Sequence, residues 1–228
     1  MNTEIQKNGR TESMLTDEIK QQVEVATVKI TRGDDGFGSG VLIPGEMILT
    51  ATHCVQHTAD GFMVWDYYIE TLKTSQGFLK AQATMVECVS DIAVLESLDG
   101  QEFWDEKIAF ETFCETVNPL NLTMDALPLR RPFPVHLRTC EGEWMSGEAT
   151  IFNLASPTIG ITFPHTIPSG TSGSPIVNDG GEIVAIVSNS SESSHQRQSI
   201  GSHPFPAMAL PSWILQRIGR VSLSRRSI

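Results

Sequence analysis

The feature that most constrains this chain is a serine set between glycines and prolines. Residues 168–175 have the sequence PSGTSGSP and run directly into the apolar pair Ile176 and Val177. Gly170 and Gly173 allow backbone conformations that a residue with a Cβ avoids, so a rigid turn is expected. Such a turn can project one hydroxyl and aim nearby N–H groups at one point, as attack on a carbonyl requires. Taken alone, the segment favours a simple hairpin loop, and the residues upstream change that interpretation.

Two upstream segments carry reactive side chains at the borders of apolar runs. Residues 38–43 have the sequence GSGVLI. Residues 47–55 have the sequence MILTATHCV, which places His53 at the end of an apolar run. Residues 90–95, SDIAVL, place Asp91 at the start of another apolar run. A histidine, an aspartate and a serine therefore occur in this order, each beside an apolar segment.

Together these segments resemble the chymotrypsin-like serine proteases, the trypsin-like superfamily, over residues 24–218. The resemblance is strong only at the three motifs, and its style is closer to bacterial HtrA-type and glutamyl-endopeptidase-like members than to digestive trypsin. It implies an all-β fold of two packed six-stranded antiparallel β-barrels with a short C-terminal helix. It also implies a serine endopeptidase that hydrolyses peptide bonds through an acyl-enzyme in the cleft between the barrels.

The resemblance assigns the nucleophile to Ser172. The family frame Gly-x-Ser-Gly-(Gly/Ser)-Pro matches residues 170–175, whereas Ser169 and Ser174 are the competing serines of the same loop. The simpler interpretation of Ser172 is a turn serine that hydrogen-bonds its own backbone. The companion histidine and aspartate motifs favour the catalytic interpretation.

His53 and Asp91 complete the catalytic set that the resemblance implies. A histidine with an ordinary pKa near 6.5 suits a general base that later acts as the general acid. Asp91 would orient His53 and stabilise the imidazolium that forms. Glu87 and Glu96 are nearby acidic alternatives to Asp91, but neither lies in the family frame.

The backbone N–H groups of Gly170 and Ser172 are predicted to form the oxyanion hole. Proteases of this family that are activated by cleavage carry an aspartate immediately before the nucleophile, where this chain has Thr171. The chain also lacks the Ile-Val-Gly-Gly start of those enzymes. We therefore expect control by a partner or effector rather than by zymogen cleavage.

The resemblance also locates a substrate pocket, with Thr166 at its base. The edge of the pocket maps to three residues: Ser188, Asn189 and Ser190. Because no acidic residue stands at the base, cleavage restricted to Lys or Arg is disfavoured. The hypothesis is an uncharged, small or apolar residue at the substrate's P1 position.

Composition narrows the partners and the compartment. A net charge of −11 makes a nucleic-acid backbone an unfavourable partner, so the expected partners are a protein or peptide substrate and a regulatory protein. No apolar run is long enough to span a bilayer, and residues 1–20 lack the apolar core of a secretory signal. These observations predict a cytoplasmic protein without membrane attachment; the rival is a secreted protease whose signal has been removed.

The cysteines agree with a reducing compartment. The chain has four: Cys54, Cys88, Cys114 and Cys140. Secreted members of the resembled family pair the cysteine after the catalytic histidine with one on the preceding strand, where this chain has Gly38. Free buried thiols are therefore expected. A metal set of Cys54, Cys88, His53 and His57 is disfavoured because His53 is better explained as the base. No cofactor or metal is predicted.

The expected domain organisation follows from the strand and turn signals. Residues 1–22 form a polar segment that includes a short helix or lacks structure, and residues 23–30 alternate as a first strand. The protease domain spans 23–218, with barrel one over about 23–115 and barrel two over about 133–210. Residues 97–132 are assigned to a late strand and a linker. A helix is predicted over 211–218 and a flexible tail over 219–228.

The competing function on the same fold is a catalytically silent binding or scaffold protein. The presence of His53, Asp91 and Ser172 together argues against it, because a scaffold has no need for all three. Loop geometry decides between the two functions, and the sequence does not reveal it.

Overall fold

The computed structural model of the chain describes residues 15–32, 35–57, 59–60, 63–64, 68–124, 127–153, 155–188 and 199–225. The elements of the first half are, in chain order: α1 (Asp17–Ala26), β1 (Thr27–Arg32), β2 (Asp35–Ile43), β3 (Met47–Thr50), β4 (Ala59–Asp60), β5 (Met63–Val64), β6 (Ile69–Thr74), β7 (Gly77–Glu87), β8 (Ile92–Glu96) and α2 (Trp104–Thr116). The elements of the second half are β9 (Phe133–Arg138), β10 (Trp144–Thr150), β11 (Thr158–Phe163), β12 (Pro175–Val177), β13 (Ile183–Ile186), β14 (Ser199–Pro204), α3 (Pro206–Ala209) and α4 (Ser212–Arg225).

Six strands of the first half close into an antiparallel barrel in the order β1-β2-β3-β8-β7-β6. The sequence of β7 shows why. Alternate side chains are buried inside the barrel: Leu79, Ala81, Ala83 and Met85. Period-two burial of this kind is expected of a strand with one face on a core. The short strands β4 and β5 pair separately.

Six strands of the second half form an antiparallel sheet in the order β13-β12-β9-β10-β11-β14. This sheet is a nearly closed barrel. Across its seam, the Ser188 N–H just beyond β13 donates a hydrogen bond to His203 Nδ1 on β14 at 3.4 Å. The predicted fold class of two six-stranded antiparallel barrels is confirmed, with the first barrel closed and the second nearly so.

The two barrels are packed through apolar side chains. The core of the first barrel includes Val177, Ile183 and Ile186 from the second half of the chain. The C-terminal helix α4 returns to the same core through Ile214 and Ile218. A separate apolar cluster fills the second barrel. The shared core fixes one barrel against the other and so fixes the cleft between them.

The predicted first strand over residues 23–30 is partly wrong, because residues 23–26 belong to α1. Thr16 caps this helix, and its Oγ1 accepts a hydrogen bond from the Ile19 N–H at 3.3 Å. Val23 and Ala26 are buried at helical spacing. The alternation of apolar residues over 23–28 resembled a strand, but packing of the capped helix outweighs it.

The predicted strand within residues 97–132 is also wrong, because this segment contains α2. Phe110, Phe113 and Cys114 are buried on one face of this helix.

The predicted C-terminal helix is present as α4. It ends at Arg225 rather than at residue 218, so most of the predicted tail over 219–228 is helical. Among the residues that the structure describes, no helix has the length and apolar character needed to cross a membrane.

Candidate active site

Strand pairing brings His53 and Asp91 to the same end of the first barrel. β3 and β8 are antiparallel neighbours, with Thr50 opposite Ala93. His53 follows β3 on a single 3-10 turn, and Asp91 immediately precedes β8. The Thr52 N–H donates to the Asp91 carbonyl at 3.3 Å, which ties the two segments together. The two residues, separated by 38 positions in the chain, therefore meet because of strand register.

The two side chains form a directed pair. His53 Nδ1 donates to Asp91 Oδ2 at 2.7 Å, and the His53 N–H donates to Asp91 Oδ1 at 3.1 Å. A third donor is Ser188, whose Oγ lies 2.5 Å from Asp91 Oδ2. A carboxylate held by three donors fixes the imidazole ring and leaves Nε2 as its outward nitrogen.

Asp91 has a strained backbone conformation, with φ at +54°. The turn before it is held by the Glu87 carboxylate, which accepts hydrogen bonds from the N–H groups of Val89 and Ser90. Strain at a non-glycine residue persists only where its surroundings enforce it. Glu87, an alternative to Asp91 in the sequence, thus supports the turn, and Glu96 is hydrogen-bonded to Arg217.

The loop around Ser172 consists of two successive β-turns. The Thr171 N–H donates to the Pro168 carbonyl at 3.2 Å, and the Ser174 N–H donates to the Thr171 carbonyl at 3.0 Å. The third residue of each turn is a glycine with positive φ, +88° at Gly170 and +82° at Gly173. This is the pattern of type II turns, which require such a residue at that position. The rigid turn predicted from the sequence is therefore present.

Ser172 occupies the second position of the second turn and is half-buried. Its carbonyl accepts a hydrogen bond from the Ser39 N–H of the first barrel at 2.7 Å, which anchors the loop across the cleft. The competing serines lie differently, since Ser174 is buried and Ser169 is exposed. Ser172 is thus the loop serine that is anchored to the first barrel and is neither buried nor fully exposed.

The N–H groups of Gly170 and Ser172 donate no hydrogen bond within the described residues. Thr171, between them, is fully buried, and its Oγ1 accepts a hydrogen bond from the Cys140 N–H at 3.2 Å. Two unpaired backbone donors on a braced loop have the chemistry of an oxyanion hole. The assignment of Gly170 and Ser172 to that role stays a prediction.

Gly173 fills a space that no side chain can enter. A Cβ at this position would lie 1.9 Å from the Ser39 carbonyl oxygen and 2.5 Å from Thr50 Oγ1. The same carbonyl accepts a hydrogen bond from Thr50 Oγ1 at 2.6 Å, so it cannot move freely. The loop is therefore held against the first barrel by direct backbone contact.

We expect Gly173→Ala to lower the free energy of unfolding by roughly 3 kcal/mol, since it adds overpacking to left-handed backbone strain. The measurement is urea unfolding. Gly77→Ala is the matched control, because Gly77 also has positive φ (+131°) but its Cβ would meet nothing within 4 Å. The control should lower the free energy of unfolding by about 1 kcal/mol. Equal decreases in the free energy of unfolding for the two variants would contradict the close contact at Gly173.

The structure joins His53 to Asp91 but not to Ser172. Within the described residues, Ser172 Oγ makes no hydrogen bond to His53. Catalytic hydrogen bonds are often long in substrate-free enzymes and shorten only in the complex with substrate. The structure therefore shows a histidine–aspartate pair and a serine on a separately anchored loop, and the triad of His53, Asp91 and Ser172 stays a prediction.

The hydrogen bond that His53 donates to Asp91 raises the pKa of His53 to about 10, with a further contribution from Cys54 and an opposing one from burial. Burial acts to raise the pKa of Asp91, but hydrogen bonds from His53 and Ser188 outweigh it and the pKa is lowered. At neutral pH the free protein therefore contains an imidazolium–carboxylate pair. His53 must lose a proton before it can act as a base.

The raised pKa of His53 predicts an alkaline activity profile. We expect kcat/KM to rise with pH well beyond 6.5, the ordinary histidine value, because a protonated His53 cannot accept a proton from Ser172. The raised pKa of His53 gives a contribution to fold stability that is complete below pH 6.5 and is lost as pH rises through about 10. The lowered pKa of Asp91 gives a contribution that is present at neutral pH and is lost as the carboxylate is protonated in acid. Rates across pH 5 to 11 test this, and a plateau reached by about pH 7 would contradict it.

The predicted pocket residues are only partly described. Thr166 is exposed on the loop after β11. Ser188 was assigned to the pocket edge, but the structure shows its hydroxyl on Asp91, a role that the sequence interpretation missed. Asn189 and Ser190 lie outside the described residues. The substrate-pocket assignment therefore stays a prediction.

All four cysteines are free, as expected, although only Cys54 and Cys114 are buried. Gly38 lies beside Cys54, in the place where secreted members of the resembled family carry the partner cysteine. A Cβ on Gly38 would be 2.5 Å from Cys54 Sγ. In the part of the chain that the structure describes, no three His, Cys, Asp or Glu side chains cluster as a metal site.

The family model described as Peptidase S7, Flavivirus NS3 serine protease, matches residues 159–203, which include Ser172 but neither His53 nor Asp91. No curated protein matches the sequence. Among solved structures, the chain is similar to the inactive form of the Rv3671c protease of M. tuberculosis. The two are 14% identical with a TM-score of 0.54, over 89% of this chain and 92% of that one.

Two further solved structures are also similar to this chain. Kallikrein-related peptidase 10 is 14% identical with a TM-score of 0.57, covering 86% of this chain and 96% of that one. The serine endoprotease from Yersinia pestis is 18% identical with a TM-score of 0.57, covering 88% of this chain and 66% of that one. At these identities the likeness establishes the fold, which is that of the chymotrypsin-like serine proteases. A closer similarity to the HtrA-type members than to digestive trypsin stays a prediction.

Proposed function

We propose that this chain, with its chymotrypsin-like fold, is a serine endopeptidase that hydrolyses peptide bonds through an acyl-enzyme. The observation that carries the proposal is the 2.7 Å hydrogen bond from His53 Nδ1 to Asp91 Oδ2, which orients a base at the cleft. The braced loop opposite it supplies Ser172 and two unpaired N–H groups. A base, a nucleophile and an oxyanion hole are the parts that acyl transfer needs.

In the proposed reaction, Ser172 Oγ attacks the carbonyl carbon of the scissile peptide while neutral His53 accepts its proton. The developing oxyanion is stabilised by the N–H groups of Gly170 and Ser172. His53 then protonates the leaving amine, and the amine departs with its half of the substrate. Water, activated by His53 in the same way, hydrolyses the ester of Ser172 and restores the enzyme. Asp91 keeps the ring oriented throughout.

The proposal includes control by a partner or effector rather than by N-terminal cleavage. Thr171 supports it, because this buried residue is already hydrogen-bonded to the Cys140 N–H and needs no ionic partner. The free thiols support action in a reducing, cytoplasmic compartment. The proposed partners are a protein or peptide substrate and a regulatory protein, and neither a nucleic acid nor a membrane is part of the proposal.

The proposal is tested with a peptide library that presents every residue at P1, analysed by mass spectrometry at alkaline pH. We expect cleavage after uncharged, small or apolar residues. The Ser172→Ala variant, incubated in parallel, identifies cleavage by contaminating proteases. Cleavage only after Lys or Arg would contradict the specificity, and no cleavage by the wild type at any pH would count against the function.

A second candidate function is that of a catalytically silent binding protein on the same fold. The observation in its favour is the missing hydrogen bond between Ser172 Oγ and His53. The two candidates differ in a measurable way, because a silent protein retains peptides without cutting them. Peptides that co-purify intact with the wild type, without turnover at alkaline pH, would favour this candidate.

A further inference from the structure

A second serine–histidine–aspartate set lies in the second barrel, apart from His53, Asp91 and Ser172. His136 Nδ1 lies 3.0 Å from Ser146 Oγ, and His136 Nε2 lies 2.8 Å from Asp179 Oδ1. The imidazole is almost fully buried, with 4% of its side chain exposed, whereas the Asp179 side chain is 44% exposed. Ser146 is exposed. The set therefore joins a surface hydroxyl to a surface carboxylate through a buried imidazole.

Regular backbone structure holds these three residues in place. His136 on β9 stands directly opposite Ser146 on β10, and on its other side it stands opposite Val177 on β12. Asp179 lies in the hairpin turn that follows β12, where the Asn178 side chain accepts hydrogen bonds from the N–H groups of Gly180 and Glu182. A strand pair and a braced turn thus give the set a fixed geometry.

The protonation pattern follows from the two hydrogen bonds. An ionised carboxylate only accepts, so His136 Nε2 carries the ring proton and donates a hydrogen bond to Asp179. In the neutral ring Nδ1 is then an acceptor and receives a hydrogen bond from the Ser146 hydroxyl. This is the arrangement that activates a serine, with the roles of the two ring nitrogens exchanged relative to His53. A serine outside such a relay has no base to remove its proton.

We propose that Ser146 is a second activated nucleophile, which accepts acyl groups from small activated esters. Ser146 Oγ forms a bond to the ester carbonyl carbon while its proton moves to His136 Nδ1. The bond from that carbon to the departing oxygen then breaks, and the departing group takes the proton from His136. The products are O-acyl-Ser146 and the free alcohol or phenol. The exposed position of Ser146 on a strand suits small acyl donors rather than a polypeptide.

The test uses p-nitrophenyl acetate on the full chain carrying Ser172→Ala, so that Ser172 cannot contribute. Acetylated residues are located by peptide mass spectrometry after short incubations at pH 8. We expect acetyl-Ser146 to accumulate at least about tenfold faster than acetyl-Ser75, an exposed serine that has no hydrogen bond to a histidine among the described residues. Equal rates at the two serines, or no acetyl-Ser146, would overturn the proposal.

Asp179→Asn, added to the same background, tests the relay itself. The amide donates to Nε2 and moves the ring proton to Nδ1, so His136 no longer accepts from Ser146. We expect the acetylation rate of Ser146 to fall at least about tenfold while that of Ser75 is unchanged. An unchanged rate at Ser146 would show that the aspartate plays no part and would overturn the relay. Far-UV circular dichroism and thermal unfolding confirm that the variants compared are folded.

Discussion

Replacing His53 with alanine should lower kcat/KM for peptide hydrolysis by roughly five to six orders of magnitude, as expected when a triad member is removed. Without the imidazole, Ser172 loses the base that we propose accepts its proton, and Asp91 loses the partner that it holds at 2.7 Å. The measurement is the initial rate on the best substrate from the peptide library. The site is assayed in the alkaline range, where His53 is neutral in the wild type.

His57→Ala is the matched control for this loss. His57 lies four residues further along the same segment, and its ring contacts the Val55 carbonyl and Cys88 rather than Asp91. We expect its rate to stay within about threefold of the wild type. More than a hundredth of wild-type activity in His53→Ala would show that His53 is not the base.

The second large effect is expected from Asp91→Asn, which should lower kcat by about ten thousandfold. The amide retains the shape of the carboxylate but donates a hydrogen bond to Nδ1, so the ring proton moves to Nε2. His53 then presents a donor rather than an acceptor to Ser172. The lost carboxylate also removes the main cause of the raised pKa of His53. The residual activity should therefore titrate at a lower pH than that of the wild type.

Asp105→Asn controls for the loss of one negative charge, because Asp105 is exposed on α2. It should leave both kcat and the pH profile unchanged. A fall of less than tenfold in Asp91→Asn, or an unshifted pH profile, would contradict the role assigned to Asp91. The pH profile is informative because a variant that was only less stable would lose activity without a shift in the pH dependence of that activity.

The sequence was sufficient for the fold class and for most of the strands, because strands and tight turns leave local signals. Alternation identifies strands such as β7, and the glycines of the loop identify the two turns around Ser172. A short helix was one of two alternatives for the first part of α1, but the alternation over residues 23–28 assigned its last turn to a strand. Helix α2 was missed, because its apolar face is completed by contacts with residues distant in the sequence.

The supporting contacts of the site could not be predicted from the sequence. The Ser188 hydroxyl reaches Asp91 across 97 residues, and the Ser39 N–H reaches the Ser172 carbonyl across the cleft. Both depend on how the barrels pack, which no local pattern encodes. The strained φ of Asp91 likewise arises from the surrounding turn. Such contacts decide whether the reactive residues work together.

Labelling with a fluorophosphonate probe at alkaline pH, followed by mapping of the modified peptide, measures directly whether Ser172 is an activated nucleophile. We predict rapid labelling of Ser172 in the wild type, no labelling at position 172 in Ser172→Ala, and labelling slowed by several orders of magnitude in His53→Ala. A folded wild type whose Ser172 reacts no faster than it does in His53→Ala would contradict the claim and favour the catalytically silent protein.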